Sequence, residues 1–276
     1  MADIKASDVA KLRKMTGAGM MDCKNALVET NGDFDQAIDI LRKKGQKIAS
    51  KRADRDATEG SVIAVTSSDN KKGVIIVLNC ETDFVAKNTD YVNFATKIAN
   101  TALGEMPADL SALKALVLDG KTVEEEVTIQ SGIIGEKVDL SFYAKVEAPH
   151  VVGYIHPGNK LATLVGLNQE NIEEQVGKDV AMQVAAMSPV SVNKDDVPAD
   201  IVAKELEIGR EIAIQEGKPE KLIDKIAEGK LNKFFKENTL LSQQFIKDNK
   251  TSVADYLNQA SKGLTVTEFV RFSLNV

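Results

Sequence analysis

The 276 residues carry 35 Lys and Arg against 41 Asp and Glu, a net charge of −6 that argues against general affinity for nucleic acid or acidic membranes. An apolar share of 43% supports a folded core, and the length accommodates two domains, or one with an appendage. Met1-Ala2-Asp3-Ile4-Lys5 has no apolar signal region and no run reaches the ~20 residues of a membrane span, so a cytoplasmic protein is expected. Cys23 and Cys80 sit in apolar company and read as small buried hydrophobes rather than a disulfide or metal pair.

Residues 1–55 read as a helical unit with its linker. Ser7 can cap a first helix whose Val9, Leu12 and Met15 share a face, ended by Thr16-Gly17-Ala18-Gly19. A second helix runs from about Met21 to Glu29 and stops at Asn31-Gly32. A third starts at Asp33, with Gln36 completing a capping-box variant and Phe34, Ala37, Ile38 and Leu41 forming its stripe. After Gly45 the charged, poorly periodic residues 46–55 read as a linker. A three-helix bundle has no cleft, so a binding module is expected. Leu12, Met20 and Met21 form either part of its core or a soft apolar patch for a partner.

The middle of the chain holds a faint repeat, in residues 56–147 and again from 148 to 276. Ser61–Thr66, a polar turn and Val74–Asn79 make one β-hairpin, followed by a helix with Tyr91, Phe94, Ala95, Ile98 and Ala102 inward. Val151–Ile155, a turn at Pro157-Gly158-Asn159 and Leu161–Asn168 make a second, followed by a helix striped with Val180, Ala181, Val184 and Met187. Two copies of one design imply paired α+β subdomains. The copies differ at Glu81–Asn88, which has no counterpart in the second. There, a strand exit presents Thr82-Asp83-Phe84-Val85, an acid beside a large aromatic. Such a Phe either folds into its own core or is held out for a partner.

Leu110, Leu113, Leu116 and Val117 mark a helix between the copies, and Val138–Val146 alternates with Val138, Leu140, Phe142, Ala144 and Val146 inward. Residues 199–228 read as an antiparallel helical hairpin broken at Glu216-Gly217-Lys218-Pro219, an arm that leaves a homodimer open. Val266–Val276 closes the second sheet. No catalytic set emerges. Asp119-Gly120-Lys121-Thr122 lacks the first glycine of a phosphate loop, since Ala115 stands there. His150 and His156 have no Cys or Ser partner at a useful spacing. No enzyme and no cofactor are expected.

The stretch Asn79-Cys80-Glu81-Thr82-Asp83-Phe84-Val85-Ala86-Lys87-Asn88 resembles a signature of the bacterial elongation factor Ts family, guanine-nucleotide exchange factors for elongation factor Tu. Leu12-Arg13 and Thr16–Leu27 resemble a second signature of that family, in the family's order. The likeness extends from about residue 3 to Glu268-Phe269-Val270-Arg271-Phe272. It departs at Val77, often Glu in the family, and at the end, where some members add a helical module that touches the partner. The resemblance implies an α+β fold: a ubiquitin-associated-like three-helix domain, two related subdomains with antiparallel sheets, and an inserted coiled-coil hairpin. It also implies elongation factor Tu as partner, with Thr82, Asp83, Phe84 and Val85 intruding beside the partner's Mg2+ site. By the same likeness the second subdomain docks on another domain of that partner, which makes the tip at His156 a contact. An adaptor that binds partners without exchange is the alternative.

Overall fold

A computed structural model describes residues 4–274. Its N-terminal bundle comprises α1 (Ala6–Thr16), α2 (Met20–Glu29) and α3 (Phe34–Arg52) around buried Val9, Leu12, Cys23, Ala26, Leu27 and Ala37. The first helix begins one residue before Ser7; its N-cap is Lys5, whose N–H donates to Asp8 Oδ2 at 3.3 Å. Asp33 caps α3 as expected, accepting from the Gln36 N–H at 3.0 Å. The expected linker is instead mostly helix, because α3 continues to Arg52. Periodicity failed there because the helix trades bundle contacts for contacts with a different neighbour.

That neighbour is α7. The core begins with β1 (Glu59–Thr66) and β2 (Lys72–Cys80), a one-turn helix α4 (Asp83–Ala86), α5 (Thr89–Glu105) and α6 (Leu110–Ala115). A tight hairpin, β3 (Val117–Leu118) and β4 (Lys121–Thr122), turns through Asp119 and Gly120, both with positive φ. Here the phosphate-loop lookalike is only a turn. Val117, expected in a helical stripe, sits exposed in this hairpin. Thr122 then caps α7 (Val123–Ile134), with a reciprocal Glu125 bond to its N–H. Helices α3 and α7 cross where Gly45 meets Gly132, and a Cβ on Gly132 would overlap the Gly45 backbone.

The strand β5 (Asp139–Glu147) completes a sheet in the order β1-β2-β5, antiparallel throughout. The alternation expected along it does not hold on one face. A register shift between Val77 and Leu78 of β2 puts a bulge in β5 at Ser141. Leu140 and Val138 therefore face the helices, while Phe142, Ala144 and Val146 face the other way. Both directions are covered, which explains why β2 reads as a continuous apolar run.

The second sheet joins β6 (His150–Ile155), β7 (Leu161–Leu167) and, further on, a C-terminal strand over Val266–Ser273, in the order C-terminal strand, β7, β6. It lies face to face on the first sheet. Val62, Ile75, Val77, Val151, Ala162 and Leu164 fill the layer between them, and the rings of Phe142 and Phe272 meet at 4.7 Å. The far face carries α8 (Glu174–Met187) through Val180, Ala181 and Val184; Met187, at the helix end, is exposed. Helix, sheet, sheet and helix thus stack as four layers.

The hairpin α9 (Ala199–Gln215) and α10 (Glu220–Asn238) closes on itself at buried Gly209, Ala213 and Ala227. Its second helix runs ten residues past the expected end at 228, through Gly229. The chain returns through β8 (Gln244–Phe245), β9 (Asp248–Ser252), α11 (Val253–Ala260) and β10 (Val266–Ser273). Val276, expected at the end of that strand, lies outside the described residues. Among the described residues no helix is long and apolar enough to cross a membrane. The architecture is α+β with small antiparallel sheets.

Candidate functional site

The site forms where β2 leaves the first sheet. Residues 74–78 are clamped on both faces by the two core layers, so the strand reaches its exit with no freedom to rock. Thr82 then caps α4, its Oγ1 accepting the Val85 N–H at 3.4 Å. The buried Ser61 hydroxyl donates to Ala86 O at 3.2 Å and ties down the far end of the same turn. Asn88 Oδ1 caps α5 through the Asp90 N–H at 2.8 Å. Four residues therefore stand on a braced one-turn helix between a rigid strand and a long helix.

Their side chains divide by role. Val85 is half-buried against the core below, and Phe84 is 82% exposed, the most exposed of the large apolar side chains described. Burying that ring in a partner would remove ~150 Å² or more of apolar surface from water. Asp83 is partly exposed and binds Lys87 Nζ at 2.6 Å, one turn on. The Lys87 hydrogen bond holds its carboxyl below the usual carboxylate range, so it meets a partner as an anion. An aromatic ring and a fixed negative charge thus project side by side.

Beneath them lies a polar brace invisible to pattern reading. Glu136, in the connection from α7 to β5, accepts the Thr82 N–H at 3.0 Å and the Thr82 hydroxyl at 2.7 Å. Glu81 accepts from Arg52 at 2.9 and 3.1 Å, from Arg55 at 3.0 Å and from the Lys137 N–H at 2.6 Å. These bonds, the Lys137 N–H first among them, lower the Glu81 carboxyl to about 2. Glu81 could be read from the sequence only as a neighbour of the exposed pair. Glu136, Arg52 and Arg55 stand too far along the chain for spacing to connect them to it. Cys80, by contrast, is fully buried and its thiol is pushed up to about 11 by that burial, which makes it a packing residue.

The remaining candidate contacts do not gather here. Leu12 is fully buried in the bundle, and its expected place in a partner patch is corrected: it packs between helices. Met20 and Met21 are 47% and 62% exposed at the start of α2. His156 is exposed on the tip between β6 and β7, where its Nδ1 meets the Tyr154 hydroxyl at 2.9 Å. A cleft of about 630 Å³ separates bundle from core and is lined by Gly17 and Gly19 on one side and Val85, Tyr91 and Phe94 on the other. Among the described residues no group of three or more His, Cys, Asp and Glu is placed to hold a metal ion.

Comparison with known proteins identifies the family. The family model described as elongation factor TS matches residues 81–276, beginning at the brace residue itself. The chain is 53% identical over 275 residues to elongation factor Ts of Christiangramia forsetii, covering 99% of this chain and all of that protein. It is 51% identical to that of Azobacteroides pseudotrichonymphae over 98% of this chain and 97% of the relative, and 50% identical to that of Porphyromonas gingivalis over 99% and 98%. The chain belongs to the elongation factor Ts family, whose members are translation elongation factors.

Proposed function

We propose that this chain is a guanine-nucleotide exchange factor of the cytoplasm, which binds elongation factor Tu carrying GDP and speeds release of the nucleotide. The observation that carries the reading is Phe84, an aromatic ring left in solvent on a turn braced from three sides. A ring so placed contributes little to its own fold, and because the backbone beneath it is already held, a partner has only the side chain's own rotation to order. A GTPase grips its nucleotide through backbone N–H groups and a magnesium ion bridging phosphate and protein oxygens. Inserting the ring near that ion repacks the surrounding loop, and the Asp83 carboxylate competes for the polar contacts that hold the ion in place. Once the metal geometry is lost, phosphate charge is uncompensated and GDP leaves.

Binding supplies the energy, with no bond made or broken by this chain. By linkage the factor favours the nucleotide-free partner to the same degree that nucleotide weakens the factor. The test is release of a fluorescent GDP from elongation factor Tu followed by stopped flow, with and without the chain. Acceleration that saturates with added chain supports exchange. Binding without acceleration would make the protein an adaptor.

A further inference from the structure

We propose that Glu81 is a positioning residue that locks the N-terminal bundle at a fixed setting relative to the Thr82–Val85 turn, so that both meet the partner as one rigid surface. The proposal rests on the exchange reading above. Helix α3 has two affiliations. Its first half supplies Phe34, Ala37, Ile38 and Leu41 to the bundle, and its second half lies on α7 at the Gly45–Gly132 crossing. Its last turn ends at Glu81.

There the carboxylate, only 14% exposed, shares Arg52 Nη1 between its two oxygens and accepts a further bond from Arg55, just beyond the helix. Its remaining capacity goes to the Lys137 N–H, and the Lys137 ammonium returns a bond to Arg55 O at 2.9 Å. Thr82, the next residue, is held by Glu136 from the same connection. One loop and one carboxylate therefore fix both the strut that carries the bundle and the turn that carries Phe84. Apart from the α3–α7 crossing and the approach of Gly17 to Ile133, the bundle faces the core across an open cleft, so the Glu81 bonds supply the polar restraint at the end of the strut. Two surfaces held at a set spacing bind a partner with an effective concentration that a loosely tethered pair lacks.

Replacing both guanidinium groups, Arg52→Met with Arg55→Met, keeps the side-chain stems and leaves the Glu81–Lys137 and Glu136–Thr82 bonds intact. In the GDP-release assay the concentration giving half-maximal acceleration should rise about tenfold or more, while the saturating rate stays within about twofold of wild type. In the free chain, spin labels at Lys24→Cys on α2 and Asn100→Cys on α5 should change from a narrow to a broad distance distribution; both native cysteines are buried. A distribution that stays narrow in the double variant overturns the proposal. So does a fall in saturating rate at an unchanged half-maximal concentration. If the wild-type chain fails to accelerate GDP release, the exchange reading alone falls, and the label distances still decide whether Glu81 holds the bundle.

Discussion

Glu136 grips Thr82 twice, through the backbone N–H at 3.0 Å and the hydroxyl at 2.7 Å, across 54 residues of chain. That double bond turns the base of a one-turn helix into a fixed platform. Isolated helical turns of this length do not persist in water. Glu136→Ala leaves the Thr82 N–H without its acceptor and should lower unfolding free energy in urea by about 1–3 kcal/mol. It should also slow GDP release at saturating chain, whereas Glu136→Gln, which keeps an acceptor oxygen, should lose less of both.

Acidification should loosen the end of α3 before the core. The Glu81 carboxyl is lowered in the folded chain to about 2, below its ordinary value. A depressed folded value means that the bonds contribute stability above the unfolded value, about 4.3. That contribution declines as pH falls below it and is gone once the folded value is passed. Urea unfolding at pH 7 and pH 3 should therefore show a loss in wild type that is smaller in Glu81→Gln. Equal losses in the two proteins would remove Glu81 from the account.

The crossing of α3 on α7 tolerates no side chain. Gly132→Ala should force the two helices apart, since its Cβ would meet backbone rather than a flexible side-chain end. The expected cost is about 1–3 kcal/mol, read by thermal or urea unfolding. Faster amide exchange should be confined to the second half of α3 and to α7.

Within the bundle, burial separates two residues that look alike in sequence. Leu12→Ala should cost about 2–5 kcal/mol of bundle stability, because it empties a fully buried site. Met21→Ala, at an exposed position, should stay within about 0.5 kcal/mol of wild type. Hydrogen exchange of α1 and α2 distinguishes these outcomes without unfolding the core.

Local chemistry made much of this molecule legible. The cap at Asp33, both hairpins, the inward face of α5 and the helical arm all follow from short-range patterns. So does the presentation of Asp83 and Phe84 at a strand exit, because the apolar run before them ends abruptly. What escaped reading depends on distant partners. The face of β5 switches at a bulge that only pairing with β2 creates. Residues 46–52 look like a linker because their apolar contacts are sparse and a glycine crossing replaces them. The arm's second helix continues through Gly229, because one interior glycine costs a helix only about 1 kcal/mol and the flanking turns outweigh it. The brace of Glu81, Glu136, Arg52 and Arg55 joins three segments by charge, and charges have no period to read.

The most direct test replaces the ring alone. Phe84→Ala should leave the melting temperature unchanged, since the side chain is 82% exposed and belongs to none of the core clusters. At concentrations that saturate elongation factor Tu, it should release GDP at least about tenfold more slowly than wild type, as expected for loss of a central aromatic anchor. A variant that melts like wild type and still drives GDP release at the wild-type rate would contradict the account.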